Sequence, residues 1–301
     1  QPACTMTVQL AGGDGQLGRA LAATEPAEVT LSAPGIAQLD VTDEAALRRA
    51  CAEFDPGVVV NAAAYTAVDL AEEESEAAWT VNRDGARHTA RVTADRRARL
   101  IQVSTDFVFD GNQGTPYRPD DPTAPLSVYG ASKLAGELAV REHAGPGWLI
   151  LRTAWLYEAG GHNFVNTMLG LMRRGIDLRI VADQTGTPTW ATGLARAIWR
   201  AIEADIAGIH HWTDAGVASW YDLAVAVQEE AHALGLVDAP VDIFPIRTED
   251  YPVAAPRPAY SVLDKTSTWK ALGIVPGHWR KQLRTMLRSL ADQPAKTHHQ
   301  Q

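Results

Sequence analysis

TVQLAGGDGQLGRALAA, residues 7–23, decides how the rest of the chain is read. Residues 7–11 have strand character and run directly into glycines spaced three apart, Gly12, Gly15 and Gly18. Residues 16–23 then carry apolar side chains at helical spacing. A strand that hands over to a helix through such glycines is built for close approach. The first glycine permits a tight turn, the second lets backbone come near a ligand, and the third lets helix pack on strand. The helix start adds free N–H groups and the positive end of a dipole, which suit an anion. The loop therefore predicts a dinucleotide with its pyrophosphate at the middle glycine.

The chain beyond this stretch keeps alternating. Strand patterns at 29–32, 57–62 (GVVVNA), 100–104 and 148–152 are separated by helical patterns at 44–54, 75–97 and 128–143. Continuous apolar runs such as GVVVNA mark strands buried on both faces. This order predicts an α/β fold, a doubly wound parallel sheet of Rossmann type with right-handed crossovers. Past residue 155 the pattern loosens around two proline-bearing loops, 186–189 and 252–258. Helices are expected at 163–174, 193–204, 220–234 and 279–290. We expect a dinucleotide-binding domain at 6–155 and a smaller, partly helical substrate lobe at 156–292, some segments of which return to the sheet. Residues 1–5 and 293–301 are expected to be disordered ends.

Composition narrows the function classes. The 301 residues are 46% apolar and 21% charged, enough to bury a core without covalent staples. A net charge of −9 without a basic stripe argues against a nucleic-acid partner. The acidic run Glu72-Glu73-Glu74 with Glu76 reads as a solvated helix face. Cys4 and Cys51 stand apart, with no metal or disulfide spacing, which fits a reducing compartment. No apolar run approaches the ~20 residues that span a bilayer, and the start lacks signal-peptide character. The expected location is cytoplasmic.

Tyr129-Gly130-Ala131-Ser132-Lys133 gives Y-x-x-x-K, which puts both side chains on one helix face. A tyrosine with a pKa near ~10 is a poor acid–base group at neutral pH unless a neighbouring ammonium lowers it. Lys133 is expected to do this and to hold the nicotinamide ribose. Thr105 ends a buried strand whose carboxyl end faces the glycine loop, so its hydroxyl can reach the same reacting oxygen. The second strand ends Thr30-Leu31-Ser32-Ala33-Pro34, with neither the acid that favours NAD nor the arginine that favours NADP. The choice between NADH and NADPH stays open. Asp40 reads either as lining the adenine site or as capping the helix that begins near Asp43.

Several specific stretches resemble the dTDP-4-dehydrorhamnose reductase family of the extended short-chain dehydrogenases/reductases. They include GGDGQLGRAL (12–21), VVNAAAYTAVDLAE (59–72), STDFVFDG (104–111) and PLSVYGASKLAGE (125–137). LRTAWLY (151–157), DQTGTPT (183–189) and RPAYSVLDKT (257–266) extend the resemblance almost to the C-terminus. The resemblance implies that NADPH or NADH reduces the C4 ketone of dTDP-4-dehydro-L-rhamnose. It implies that Gly12, Gly15, Gln16 and Leu17 hold the pyrophosphate and that Asp40 and Val41 border the adenine. Ala63, Ala64, Tyr65 and Val103 would line the cofactor channel beside Tyr129 and Lys133. Thr105, Tyr129 and Lys133 would be catalytic, and Thr105, Asp106, Tyr129 and Trp155 would face the sugar nucleotide. Trp155 also reads as a core tryptophan after a strand. The resemblance further allows a homodimer and, in some members, Mg2+. Phe107 departs from the family's usual tyrosine. A 4,6-dehydratase of this fold would carry Glu after Asp106, and Phe107 stands there instead. A reductase of another nucleotide 4-ketosugar and a non-catalytic regulatory subunit are the remaining alternatives.

Overall fold

A computed structural model describes residues 5–292; Cys4 and the expected C-terminal tail from 293 lie outside the described residues. Strand β1 (Met6–Ala11) is followed by α1 (Gln16–Ala23), β2 (Val29–Ser32), α2 (Glu44–Phe54) and β3 (Val58–Asn61). The long helix expected at 75–97 is continuous but not uniform. It comprises α3 (Ser75–Trp79), a π-helical turn (Thr80–Asp84) and α4 (Gly85–Asp95). Then come β4 (Arg99–Thr105), α5 (Val128–His143) and β5 (Leu149–Thr153).

The later part is built from β6 (Leu156–Tyr157), α6 (Phe164–Arg173), β7 (Leu178–Val181), β8 (Thr185–Gly186) and β9 (Thr189–Trp190). Helix α7 (Ala191–Glu203) leads to β10 (Gly208–His211), β11 (Ala218–Ser219) and α8 (Trp220–Ala233). Strand β12 (Ile243–Ile246), α9 (Thr266–Leu272) and α10 (Trp279–Ala291) complete it.

The main sheet has six parallel strands in the order β2-β1-β3-β4-β5-β10. Side-chain alternation explains its double coat of helices. Val58 and Val60 join Val8, Leu10, Ile101 and Leu149 in a cluster with α1 and α7. The intervening Val59 joins Leu100 and Ile150 against α2, α4 and α5 on the opposite face. Each fully buried Val, Leu or Ile side chain contributes ~1.5–3 kcal/mol, so both faces are needed. Asp43 caps α2 and Ser127 caps α5, each accepting a backbone N–H of the first turn. Strand order reverses between β1 and β3, since β2 is added on one side of β1 and β3 to β5 on the other, and at such a switch point the crevice for a ligand opens.

The second lobe has its own apolar cluster, from Tyr157 and Val165 to Leu223, Leu283 and Leu287. Its strands are short and pair only in twos: β6 with β9, β11 with β8, β12 with β7. Among the described residues no helix is long and apolar enough to cross a membrane.

A buried ion pair fastens the centre of the large sheet. Arg152 of β5 donates to Glu137 of α5 through Nε at 2.9 Å and Nη2 at 2.7 Å, and both side chains are 2% exposed. The Ser104 hydroxyl of β4 donates to the same carboxylate at 2.5 Å. His211 of β10 lies 3.3 Å from Arg152, and burial beside that guanidinium pushes it down to about 3, so it is neutral. Three elements thus meet at one carboxylate, with β10 joined to it through Arg152, and removing one partner of such a pair typically costs ~3–5 kcal/mol.

Candidate active site

The carboxyl ends of β1, β3, β4 and β5 open into one cleft of about 890 Å³. Every site residue singled out from the sequence lines it, from Gly12, Gly15, Gln16 and Leu17 to Thr105, Tyr129, Lys133 and Trp155. Asp40, Val41, Ala63, Ala64, Tyr65, Val103 and Asp106 lie along the same walls. Asp40 does not cap α2, since Asp43 does; its Oδ1 accepts the backbone N–H and hydroxyl of Thr42 instead.

The glycine loop fits a pyrophosphate on geometric grounds. Gly12 has φ +88°, and a Cβ there would stand 2.8 Å from the Ala63 nitrogen. Gly18 touches the loop even more closely, because a Cβ would fall 2.1 Å from the Gly12 carbonyl. Gly15 is different. A Cβ there would meet only the Gly12 carbonyl, at 3.4 Å, so the space before it is open cleft. Gly15 is also the N-cap of α1 and offers no side chain to its first-turn N–H groups. Uncapped donors beside open space make an anion cradle.

Asp14 of the glycine loop reaches the turn that follows β2. Its Oδ2 accepts the Ile36 N–H at 3.2 Å, and both residues line the cleft. A carboxylate therefore lies on this stretch of the cleft wall, contributed by the glycine loop rather than by β2.

At the other end, Tyr129 sits in the first turn of α5 with its ring edge-on to Phe107, centroids 5.7 Å apart. Lys133 follows one turn later and is buried; its Nζ donates to the Val103 carbonyl at 2.7 Å. The expected lowering of Tyr129 by Lys133 is not what the structure shows. Desolvation pushes the phenol up to about 12, the adjacent Thr105 hydroxyl pulls it down, and the Asp106 carboxylate pushes it up. Lys133 is not among these influences on the phenol; its Nζ is directed at the Val103 carbonyl. Burial also lowers Lys133 to about 8, against the attraction of Glu137 four residues on. Asp106 is buried, and desolvation raises it to about 7; Thr105 Oγ1 donates to its Oδ1 at 3.2 Å.

Residues of the later chain that carried no motif reading complete the cleft, among them Trp220, Asn163 and His162. Asn163 caps α6 and donates to Gln16 Oε1 at 2.8 Å, so the second lobe touches the glycine loop. Arg257, within the RPAYSVLDKT stretch, grips Asp69 through two bonds of 2.8 Å and holds its carboxyl below the usual range. The two stretches were legible, but not that they meet. Among the described residues no group of three or more His, Cys, Asp or Glu is arranged to hold a metal.

A family model described as the RmlD substrate binding domain matches residues 6–292. The chain belongs to this family. A dTDP-4-dehydrorhamnose reductase of Streptomyces griseus is 44% identical to this family member over 279 residues, 90% of each chain. A Streptomyces antibioticus protein named as a probable dTDP-4,6-dihydroxy-2-methyloxan-3-one 4-ketoreductase is 44% identical over 280 residues, 91% of this chain and 92% of that one. Among solved structures, the dTDP-4-dehydrorhamnose reductase of Bacillus anthracis str. Ames, in complex with NADP, superposes with a TM-score of 0.89. It is 32% identical, covering 95% of this chain and 99% of that chain. The Rossmann-type fold expected from the alternation is the one observed.

Proposed function

We propose that this chain reduces the C4 ketone of dTDP-4-dehydro-L-rhamnose to the alcohol with NADPH or NADH. The observation that carries this reading is the convergence of Thr105, Tyr129 and Lys133 on the cleft that the glycine loop opens. The bound cofactor supplies a hydride to the ketone carbon. Everything else is asked of the chain. Gly12, Gly15, Gln16 and Leu17 seat the pyrophosphate, and Lys133 holds the nicotinamide ribose. Tyr129, with its pKa raised to about 12, keeps its proton throughout the neutral range. It can therefore give that proton to the developing alkoxide, a stronger base than the phenolate left behind. Thr105 brings a second hydroxyl to the same oxygen, a contribution of the oxyanion-hole kind.

Asp14 beside Ile36 favours a ribose that carries a free 2′-hydroxyl, while the end of β2 carries no acid of its own. Both cofactors are accommodated on this reading. The similarity to the Streptomyces antibioticus protein supports a second reading, a reductase of another dTDP 4-ketosugar.

The test is turnover of the purified protein with dTDP-4-dehydro-L-rhamnose and with other nucleotide 4-ketosugars, using NADH and NADPH in turn. Loss of reduced-nicotinamide absorbance fastest with the rhamnose precursor supports the first reading. Preference for another ketosugar supports the second, and inactivity with all of them overturns both.

A further inference from the structure

The stretch 183–189 shows its work at the far wall of the cleft. Trp155 has φ +48°, a left-handed conformation that bulky side chains avoid. Such a residue persists only where its surroundings over-determine it. Here they do. Its indole stacks on that of Trp220, with centroids 3.6 Å apart and planes 10° from parallel. Gly186 of β8 lies against the ring, and a Cβ there would fall 2.7 Å from Trp155 Cε2. The Trp220 indole N–H donates to Gln184 Oε1 at 3.1 Å. Phe164 supports Trp220 from α6, at 4.9 Å between centroids. Both tryptophans line the cleft.

Strand register fixes where this wall stands. Thr105 pairs with Thr153, and Trp155 follows two residues later. The wall therefore stands at the same end of the sheet as Thr105, which on the ketosugar reading puts it by the sugar ring.

We propose that Trp220 is a substrate-facing specificity residue, the second leaf of an aromatic wall that receives the apolar C–H face of the ketosugar, with Gln184 and Gly186 as positioning residues. The proposal rests on the ketosugar-nucleotide reading above. A 6-deoxy sugar is the fitting guest, because its methyl group and ring hydrogens present apolar surface that a flat indole removes from water. Two indoles already stacked and bonded in place lose little freedom when the sugar arrives, so more of the contact appears as affinity.

Wild-type turnover is measured first; its absence overturns the reductase reading itself and with it this inference. Calorimetry then compares dTDP-L-rhamnose with dTDP in the wild type, Trp220→Leu, Gly186→Ala and Trp220→Phe. The expected result is about tenfold weaker dTDP-L-rhamnose binding in the first two variants, the scale of a lost apolar contact. Binding of dTDP alone and of the cofactor should hold within about twofold on the same scale. The ketosugar KM should rise with that loss while kcat changes less, and Trp220→Phe should recover most of it. Gly186→Ala keeps the test alive should Trp220→Leu fold poorly, since it adds only a methyl group beneath the stack. Equal weakening of dTDP and dTDP-L-rhamnose would place the wall against the base. Unchanged binding in a variant whose near-ultraviolet circular dichroism had lost the indole-pair signal would remove Trp220 from the substrate site. Either result overturns the proposal.

Discussion

The two sides of the cleft are made by different means. The side formed by β1 to β5 places its functional groups with backbone. Gly15 starts α1, Thr105 ends β4, and Tyr129 and Lys133 share one face of α5. The side formed by the later chain places them with side chains. Trp155 is fixed by Trp220 and Gly186, Trp220 by Gln184, and Arg257 by Asp69. Regular elements repeat a geometry that any suitable sequence can enter, so chemistry mounted on them keeps its spacing. Side-chain seats are made one at a time and suit the recognition of a particular guest.

The comparison breaks most visibly if chemistry and recognition are not separable. We predict that Tyr129→Phe lowers kcat by ~10²–10⁴-fold, the usual worth of a general acid. The ketosugar KM and the cofactor affinity should stay nearly unchanged. Steady-state kinetics beside fluorescence titration of the cofactor check this; near-normal turnover would show that the proton comes from elsewhere.

Gly15→Leu probes the backbone side without touching chemistry. A side chain at this position enters open cleft and meets only one carbonyl. The protein should therefore fold with its normal melting temperature and lose cofactor binding by about a hundredfold or more, consistent with blocking a helix-terminus anion site. A folded variant with unchanged affinity would sink the pyrophosphate assignment.

A third test asks whether both sides bear the same electrostatic load. Burial lifts Asp106 from its ordinary 3.8 to about 7, and Asp214 in the second lobe to about 8. Each binds its proton more tightly folded than unfolded. Stability from each group is thus greatest in acid and is lost as pH rises from near the ordinary value through the raised one. Asp106→Asn and Asp214→Asn should each raise the melting temperature at about pH 8 and change it little near pH 4. Denaturation scans across that range decide it, and an equal effect at both ends would remove titration as the cause.

The smallest effect sharpens the picture at the ribose end. Asp14→Ser should shift the ratio of NADPH to NADH affinity a few-fold toward NADPH, because one negative charge near a 2′-phosphate is removed at a partly screened site. Competitive titration of the two cofactors measures it. A ratio that does not move would show that Asp14 does not read the ribose.

The same contrast explains what the amino-acid sequence disclosed. The continuous apolar run Val58-Val59-Val60, the caps at Asp43 and Ser127, and the glycine triplet are local signals, and local signals are legible one segment at a time. Most helix ends in both lobes fall within a residue or two of the pattern. The two-residue strands β6, β8, β9 and β11 are too short to carry any period. The Trp220–Gln184 and Arg257–Asp69 contacts join residues 36 and 188 positions apart, which no spacing rule reaches. An acid was sought at the end of β2, and the carboxylate that reaches the following turn is Asp14, from the loop before α1. Tyr129 was expected to be tuned by Lys133, but a helical spacing of four does not reveal that Val103 claims the ammonium.

Strand β10 has a consequence for how this chain can be cut. It completes the large sheet beside β5, yet it lies more than fifty residues further along, after α7 has packed against α1. A polypeptide ending at residue 155 would leave β5 as a bare edge and take α7 from the face that Val8, Leu10 and Leu149 share with α1. Exposed edges of that kind invite pairing with other chains. The second lobe is therefore not a detachable module that follows a finished sheet. Exchanging it between relatives requires several junctions, placed so that 191–211 stays with the sheet while the segments before and after are traded.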